Sequence, residues 1–491
     1  MQLVAYGAQD IYLTGNPQIT FFKVVYRRHT NFSMESIEQT FNGTPDWGKK
    51  VSCTISRNGD LIYRVYLQTT LPEITPSGTT GEFNWVNWVG HQLIKNVEVE
   101  IGGQRIDKHY GEWLHLWNEL TQQSGHQEGY ARMCGNVTAL VTPNNAKTGP
   151  ASEVYKFPET QLYIPLQFWF CRNPGLALPL IALQYHEVKI NVEFNDLNNC
   201  AQGNTNVDGK RSKVGESGNK IFTNNEAGFG LKDTALFVDY IYLDTDERRR
   251  FAQVSHEYLI EQLQFTGEES ITSRNSKIKL NFNHPVKELV WVVQPNNNVD
   301  PANKQFFNFT DAVDSTFITG EAMDPLGVGM SSSLDLGLGI LSQGASSYYE
   351  RCDPDEYYYY NYLNTPENIK QFDTGYNCVE KAKLQLNGHD RFQERKGDYF
   401  NYVQPYQHHS QTPAVGINVY SFGLKPEEHQ PSGTCNFSRI DNATLQLTVT
   451  ANTLAPKQCD ATLQNAKVRV YATNYNVLRI MSGMGGLAYS N

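Results

Sequence analysis

Several places in this 491-residue chain carry side chains able to do chemistry, but at spacings that leave the chemistry incomplete. Asp353, Asp355 and Glu356 supply oxygen ligands of the kind a calcium ion takes, yet Pro354 interrupts them and the EF-hand loop pattern is missing. His408 and His409 would need a third ligand from elsewhere to hold zinc, so they read as polar loop residues. The glycines of "GVGM" (327–330), "GLGI" (337–340) and the C-terminal "SGMGGLAYSN" lack the strand-to-helix spacing of a phosphate turn; the last reads as a flexible tail. Eight cysteines are scattered without a C-x-x-C pair or a Cys/His cluster at zinc spacing. Glycoside hydrolysis needs two carboxylates facing across a cleft, and nothing here elects a pair. No catalytic residue, metal or cofactor is therefore expected.

Other features point to contact rather than catalysis. Tyr357, Tyr358, Tyr359 and Tyr360 would project to both sides of an extended segment, a pattern suited to a subunit contact or a packed surface loop. Six N-x-[S/T] sequons occur, of which Asn136 and Asn308 stand as glycan candidates. A net charge of −10 argues against a surface built to neutralise phosphates, so no direct nucleic-acid binding is expected. The opening "MQLVAYGAQD" lacks a basic, apolar leader, which with the cysteine pattern suggests a reduced, cytosolic folding compartment.

The elements that would carry these residues are strands. Tyr and Phe number 28 and 24, only 19% of residues are charged, and period-2 alternation dominates, as in "DLIYRVYLQTTL" and "VKINVEF". Eight strands are expected in the first half, near 33–41, 49–57, 60–71, 94–101, 104–109, 161–170, 183–194 and 235–243. Eight more are expected near 256–265, 276–282, 286–295, 380–386, 391–396, 415–423, 443–450 and 466–473. Tight turns are expected at Gly102-Gly103 and Asn387-Gly388, whose hairpins require positive φ. Trp113, Leu116, Trp117 and Leu120, at i, i+3, i+4 and i+7, mark one short amphipathic helix.

The halves also echo each other. "VEVEIGGQRIDKHYGEW" (97–113) returns as "AKLQLNGHDRFQERKGDY" (382–399) with one residue added after the second turn, so that Gly103, Arg105 and Gly111 answer Gly388, Arg391 and Gly397. "RRHTNFSMESIEQTFNG" from Arg27 returns as "RRFAQVSHEYLIEQLQFTG" from Arg249. Two markers recurring in one order indicate a duplicated domain. The expected fold is all-β: two tandem eight-stranded antiparallel jelly rolls with long loop insertions. An N-terminal arm (1–30) would precede a first domain (31–247) and a second (248–491). No flexible linker separates the halves, which implies rigid packing.

Stretches from end to end, among them "QLVAYGAQDIYLTGNPQITFFKVVYRRHTNFSMESIEQTFNG", "NPGLALPLIALQYHEVKI", "LNGHDRFQERKGDYFNYVQPYQ" and "NYNVLRIMSGMGGLAY", resemble the major capsid proteins of nucleocytoplasmic large DNA viruses, particularly the algal-virus and mimivirus-like branches. The resemblance implies a double jelly roll whose homotrimers, pseudo-hexagonal in outline, tile an icosahedral shell. It implies as partners neighbouring capsomers, minor capsid and penton proteins, and an internal membrane layer on the side of the N-terminal arm. It also implies a place in the virion after synthesis and assembly in host cytoplasm. The competing reading is a carbohydrate-binding β-sandwich with aromatic loops as its sugar platform.

Overall fold

The computed structural model describes residues 7–75, 82–141, 144–145, 156–204, 229–299, 304–311, 376–454 and 465–489. Eight of the described strands form the sandwich of the first lobe, beside a small three-stranded sheet in its loops: β1 Phe32–Gln39, β2 Lys50–Thr54, β3 Leu61–Leu71, β4 Ile94–Ile101, β5 Gln104–Tyr110, β6 Thr160–Pro165, β7 Val188–Phe194 and β8 Lys232–Leu243. They pair as two sheets, β1-β8-β3-β6 and β2-β7-β4-β5, the interleaved order of a jelly roll.

The second lobe repeats this with β9 His256–Ile271, β10 Asn275–Leu280, β11 Pro285–Pro295, β12 Val379–Leu386, a broken β13, β14 Ile417–Ser421, β15 Ala443–Val449 and β16 Ala466–Met481. Strand β13 pairs at His389–Asp390 and again at Arg395–Lys396, so the added residue lies between them rather than directly after the turn, and Asp390, not Arg391, pairs where Arg105 does. The sheets are β9-β16-β11-β14 and β10-β15-β12-β13, so each strand sits where its counterpart eight strands earlier sits. Every sheet pairing is antiparallel, and the alternating apolar residues meet between the sheets. Val65, Leu67, Val97, Val99, Ile190 and Leu236 lie in the first core, and Leu289, Trp291, Leu384, Leu445 and Val468 in the second.

The double jelly roll expected from the sequence is the fold observed. Its strand limits differ in places for physical reasons. The strand expected over 161–170 stops at Pro165, because the apolar run "LQFWFC" does not alternate; Phe168 and Phe170 turn into the core and Trp169–Arg172 forms one helical turn. Near the lobe junction, Thr245–Gln253 is a helix rather than a bare boundary, with Asp244 accepting the Thr245 N–H and Asp246 and Glu247 in its first turn. The C-terminal segment is not a loose tail. Met484–Leu487 (β17) pairs back on β16, and its turn meets the first lobe, where Tyr185 N–H donates to Gly483 O at 3.0 Å.

Both predicted hairpin turns have two central residues in the left-handed region: φ is 58° and 80° at Gly102 and Gly103, and 51° and 81° at Asn387 and Gly388. That pairing matches the strand twist. Replacing Gly103 or Gly388 by Val should lower the melting temperature, since a β-branched residue at positive φ costs about 1–2 kcal/mol. Space is not the reason, because a Cβ at either glycine meets nothing within 4 Å. An unchanged melting temperature for both variants would contradict this account.

Candidate assembly interface

The surface with the most developed contacts lies between the lobes and is built around the helix α1, Gly111–Thr121. It begins where β5 ends, because Gly111 packs against the carbonyls of His91 and Ile94 where no side chain fits. Leu114 turns into its own lobe's core. The opposite stripe, Trp113, Leu116, Trp117 and Leu120, is buried against the outer face of the second lobe's sheet, on Val290, Val292, Ile417, Val419 and Tyr471. Burying each such side chain contributes about 1.5–3 kcal/mol. The loop after the short helix Gln404–His408 closes over the end of α1, where Gln411 N–H donates to Leu120 O at 3.1 Å.

Charged groups lock this apolar contact. Glu112 Oε2 lies 2.6 Å from Arg469 Nε and accepts from the Tyr471 hydroxyl at 3.0 Å. Arg172 lies over the Trp117 ring at 3.9 Å and reaches Glu261 at 3.0 Å, while Lys287 reaches the other oxygen of Glu261 at 2.9 Å. Burial alone would raise the Glu261 carboxyl, but His429, Lys287 and Arg172 outweigh it and hold it at about 2. Beside it, Asp107 accepts the Leu263 N–H at 3.2 Å, and burial pushes its carboxyl up to about 6. The Gln262 amide donates to the Ile106 carbonyl, so the edge strand β9 is stitched to β5 across the lobes.

These features describe a joint between the lobes. Among the described residues no group of three His, Cys, Asp or Glu side chains is placed to hold a metal. Two family models meet at the boundary between the lobes: "Major capsid protein N-terminus" matches residues 20–244, and "Large eukaryotic DNA virus major capsid protein" matches residues 247–486. The chain belongs to this major capsid protein family. It is 53% identical over 536 residues to the major capsid protein of Phaeocystis pouchetii virus, covering 100% of this chain and 99% of that one. With the major capsid protein of Paramecium bursaria Chlorella virus 1 it shares 44% over 508 residues, at the same coverage. The crystal structure of PBCV-1 VP54 superposes with a TM-score of 0.66 at 39% identity, covering 96% of this chain and all of VP54. Faustovirus major capsid protein shares the fold with a TM-score of 0.67 at 13% identity, covering 97% of this chain and 94% of that one.

Within this capsid-protein fold the residues singled out in the sequence are dispersed. Gly102-Gly103 and Asn387-Gly388 cap hairpins in different lobes. Tyr357 to Tyr360, like Asp353, Asp355 and Glu356, lie outside the described residues. Asn136 is half-buried, and its side-chain oxygen accepts the Trp88 N–H at 3.4 Å. Asn308 is corrected as a glycan candidate: it is 3% exposed, its amide donates to Gln305 at 2.7 Å, and its oxygen accepts from both Thr310 N–H and hydroxyl. A sugar on that nitrogen would have no room in the folded chain.

His409 is not a polar loop residue either. Its side chain is wholly buried, with Nε2 2.8 Å from Glu288 and Nδ1 2.9 Å from Glu427. Burial opposes its charge, but the two carboxylates win and raise its pKa to about 9. The ionic network escaped sequence reasoning because its members come from distant strands; only the helical stripe had left a periodic signal.

Replacing Arg469 by Ala should cost about 3–5 kcal/mol in urea unfolding, because Glu112 is left in the joint without its cation. A loss below about 1 kcal/mol would show that the ionic lock is incidental. For His409 the folded pKa is raised above the unfolded 6.5, so its stabilisation is full below pH 6.5 and is lost as pH rises through about 9. The stability gap between wild type and His409→Gln should therefore narrow across that window in denaturant titrations at stepped pH. A gap independent of pH would refute the charged clamp.

Proposed function

We propose that this chain is a shell-building capsid protein whose homotrimers form pseudo-hexagonal capsomers of an icosahedral particle. The observation that carries the reading is the rigid joint between two lobes of identical topology, which gives one chain two equivalent building units. Three such chains present six lobes, and six lobes pack as a hexagon. We take the lobes as residues 31–247 and 248–491, with residues 1–30 as an arm. No catalytic role is assigned, and no observation favours the sugar-binding alternative.

The two ends of each lobe suit different neighbours. The strand ends Leu71, Tyr110, Phe194 and Pro295, after which the long insertions begin, lie at one end of their lobes; the opposite end carries the tight turns, the C-terminal hairpin and the start of β1. The described part of the arm exposes large apolar side chains, with Tyr12, Phe21 and Phe22 between 88% and 98% exposed. On this reading it faces inward, towards minor capsid and penton proteins or a membrane layer, while the long loops face outward. Assembly follows synthesis in host cytoplasm, and the finished location is the virion.

Light scattering of the purified chain should give three times its 55.7 kDa mass, with hexagonal outlines in negative stain; a chain that stays monomeric at high concentration would defeat the reading. Backbone amides of residues 7–31 should exchange rapidly in isolated trimers and slowly in virions. Equal protection in both states would show that the arm does not order on assembly.

A further inference from the structure

Each of the two surfaces of the joint inside the chain has a counterpart in the other lobe that stays at least partly exposed. Carrying the register Gly111 to Gly397 forward places Tyr399, Tyr402, Val403 and Tyr406 where the first lobe has Trp113, Leu116, Trp117 and Leu120. Two structural coincidences fix this register. Gly397 sits against the carbonyl of Val379, the first residue of β12, as Gly111 sits against that of Ile94, the first residue of β4. Phe400, one residue past Tyr399, fills the second lobe's core as Leu114 fills the first. The outward stripe behaves differently in the two lobes. Its first-lobe members are at most 7% exposed, whereas Tyr402 is 42%, Val403 39% and Tyr406 82% exposed.

The receiving surface is repeated too. In the second lobe α1 rests on Val290, Tyr471 and Ile417. Val290 is the sixth residue of β11 and pairs with Tyr471, and Ile417 pairs with Val292 two residues on. In the first lobe the sixth residue of β3 is Tyr66, which pairs with Phe237, and Tyr163 pairs with Gln68 two residues on. Tyr66, Phe237 and Tyr163 lie on the face of their sheet away from the core, partly exposed, with ring centroids 5.3 and 6.2 Å apart. Among the described residues these rings pack on one another and on no other ring.

We infer that the Tyr402, Val403 and Tyr406 stripe of one copy seats on the Tyr66, Tyr163 and Phe237 face of the next copy, repeating between chains the joint that links the lobes within a chain. This rests on the trimer reading and names its contact. The internal joint is heterologous, using one surface of each lobe, and such contacts generate rings when repeated. Alternating internal and external joints around six lobes uses three chains. The ionic part is not repeated, because Ala235 stands at the register position of Arg469, so the contact between chains is chiefly aromatic.

The test uses the full chain in two forms. A photo-crosslinking benzoyl-phenylalanine at Tyr406 should yield dimers and trimers on denaturing gels, with mass spectrometry placing the link in residues 61–71, 160–165 or 232–243 of a second copy. A Val403→Glu, Tyr406→Glu variant should keep the wild-type circular dichroism and raise the concentration for trimer dissociation at least about tenfold, as loss of a central apolar anchor does. A wild-type trimer that crosslinks elsewhere, or that the double variant leaves equally tight, overturns this contact while leaving the trimer intact. A wild-type chain that is monomeric and gives no crosslink between copies overturns both readings. Should the double variant fail to fold, the crosslink position alone decides.

Discussion

The contact between α1 and the outer face of the second lobe's sheet is the constraint on which the rest of the molecule depends. A jelly roll needs only its two inner faces buried, so a free lobe would leave Val290, Val292, Val419 and Tyr471 facing water. Covering them with Trp113 and Trp117 turns two closed sandwiches into one body and fixes their relative orientation. Short side chains could not do this, because a helix standing on a sheet leaves gaps that only large rings fill.

Placing charges in that contact has a cost, and the structure offsets it by saturation. Glu261 meets two cations and Arg469 meets both Glu112 and Glu268, so no single partner carries the desolvation alone. Such clusters add little net stability compared with apolar packing, but they punish misdocking, since a lobe shifted by one residue would strand several buried charges. Orientation is what a lattice subunit must preserve. A few degrees of play between lobes would spread across every neighbour in a shell.

Much of this was legible in the chain itself. Alternation located fifteen of the sixteen main strands and met only the last two residues of the broken β13, the turn residues located the hairpins, and the two echoes revealed the duplication. Legibility failed where distant segments meet. His409 looked like a polar loop residue because nothing nearby in sequence announces Glu288, 121 positions away. The tail "SGMGGLAYSN" looked loose because glycine hides a strand whose pairing is decided by β16, and Asn308 looked available because a sequon carries no record of burial. The helical stripe was visible, but not that its cover would be the other half of the same chain.

The divergence between the two copies of the stripe is informative about assembly. In the first lobe it is Trp, Leu, Trp, Leu, suited to a contact made once during folding and never wetted again. In the second it is Tyr, Tyr, Val, Tyr at the same positions. A tyrosine ring offers nearly the apolar area of a phenylalanine, while its hydroxyl keeps a hydrogen bond to water until a partner arrives. A surface that must remain soluble through synthesis and then bury itself against a second chain is under both demands together. The missing counterpart of Arg469 fits the same logic: an ionic lock that stabilises a permanent joint would leave an unpaired charge cluster on every unassembled chain. On this reading duplication supplied two joints on one plan, and the order in which they form accounts for the chemistry by which they differ.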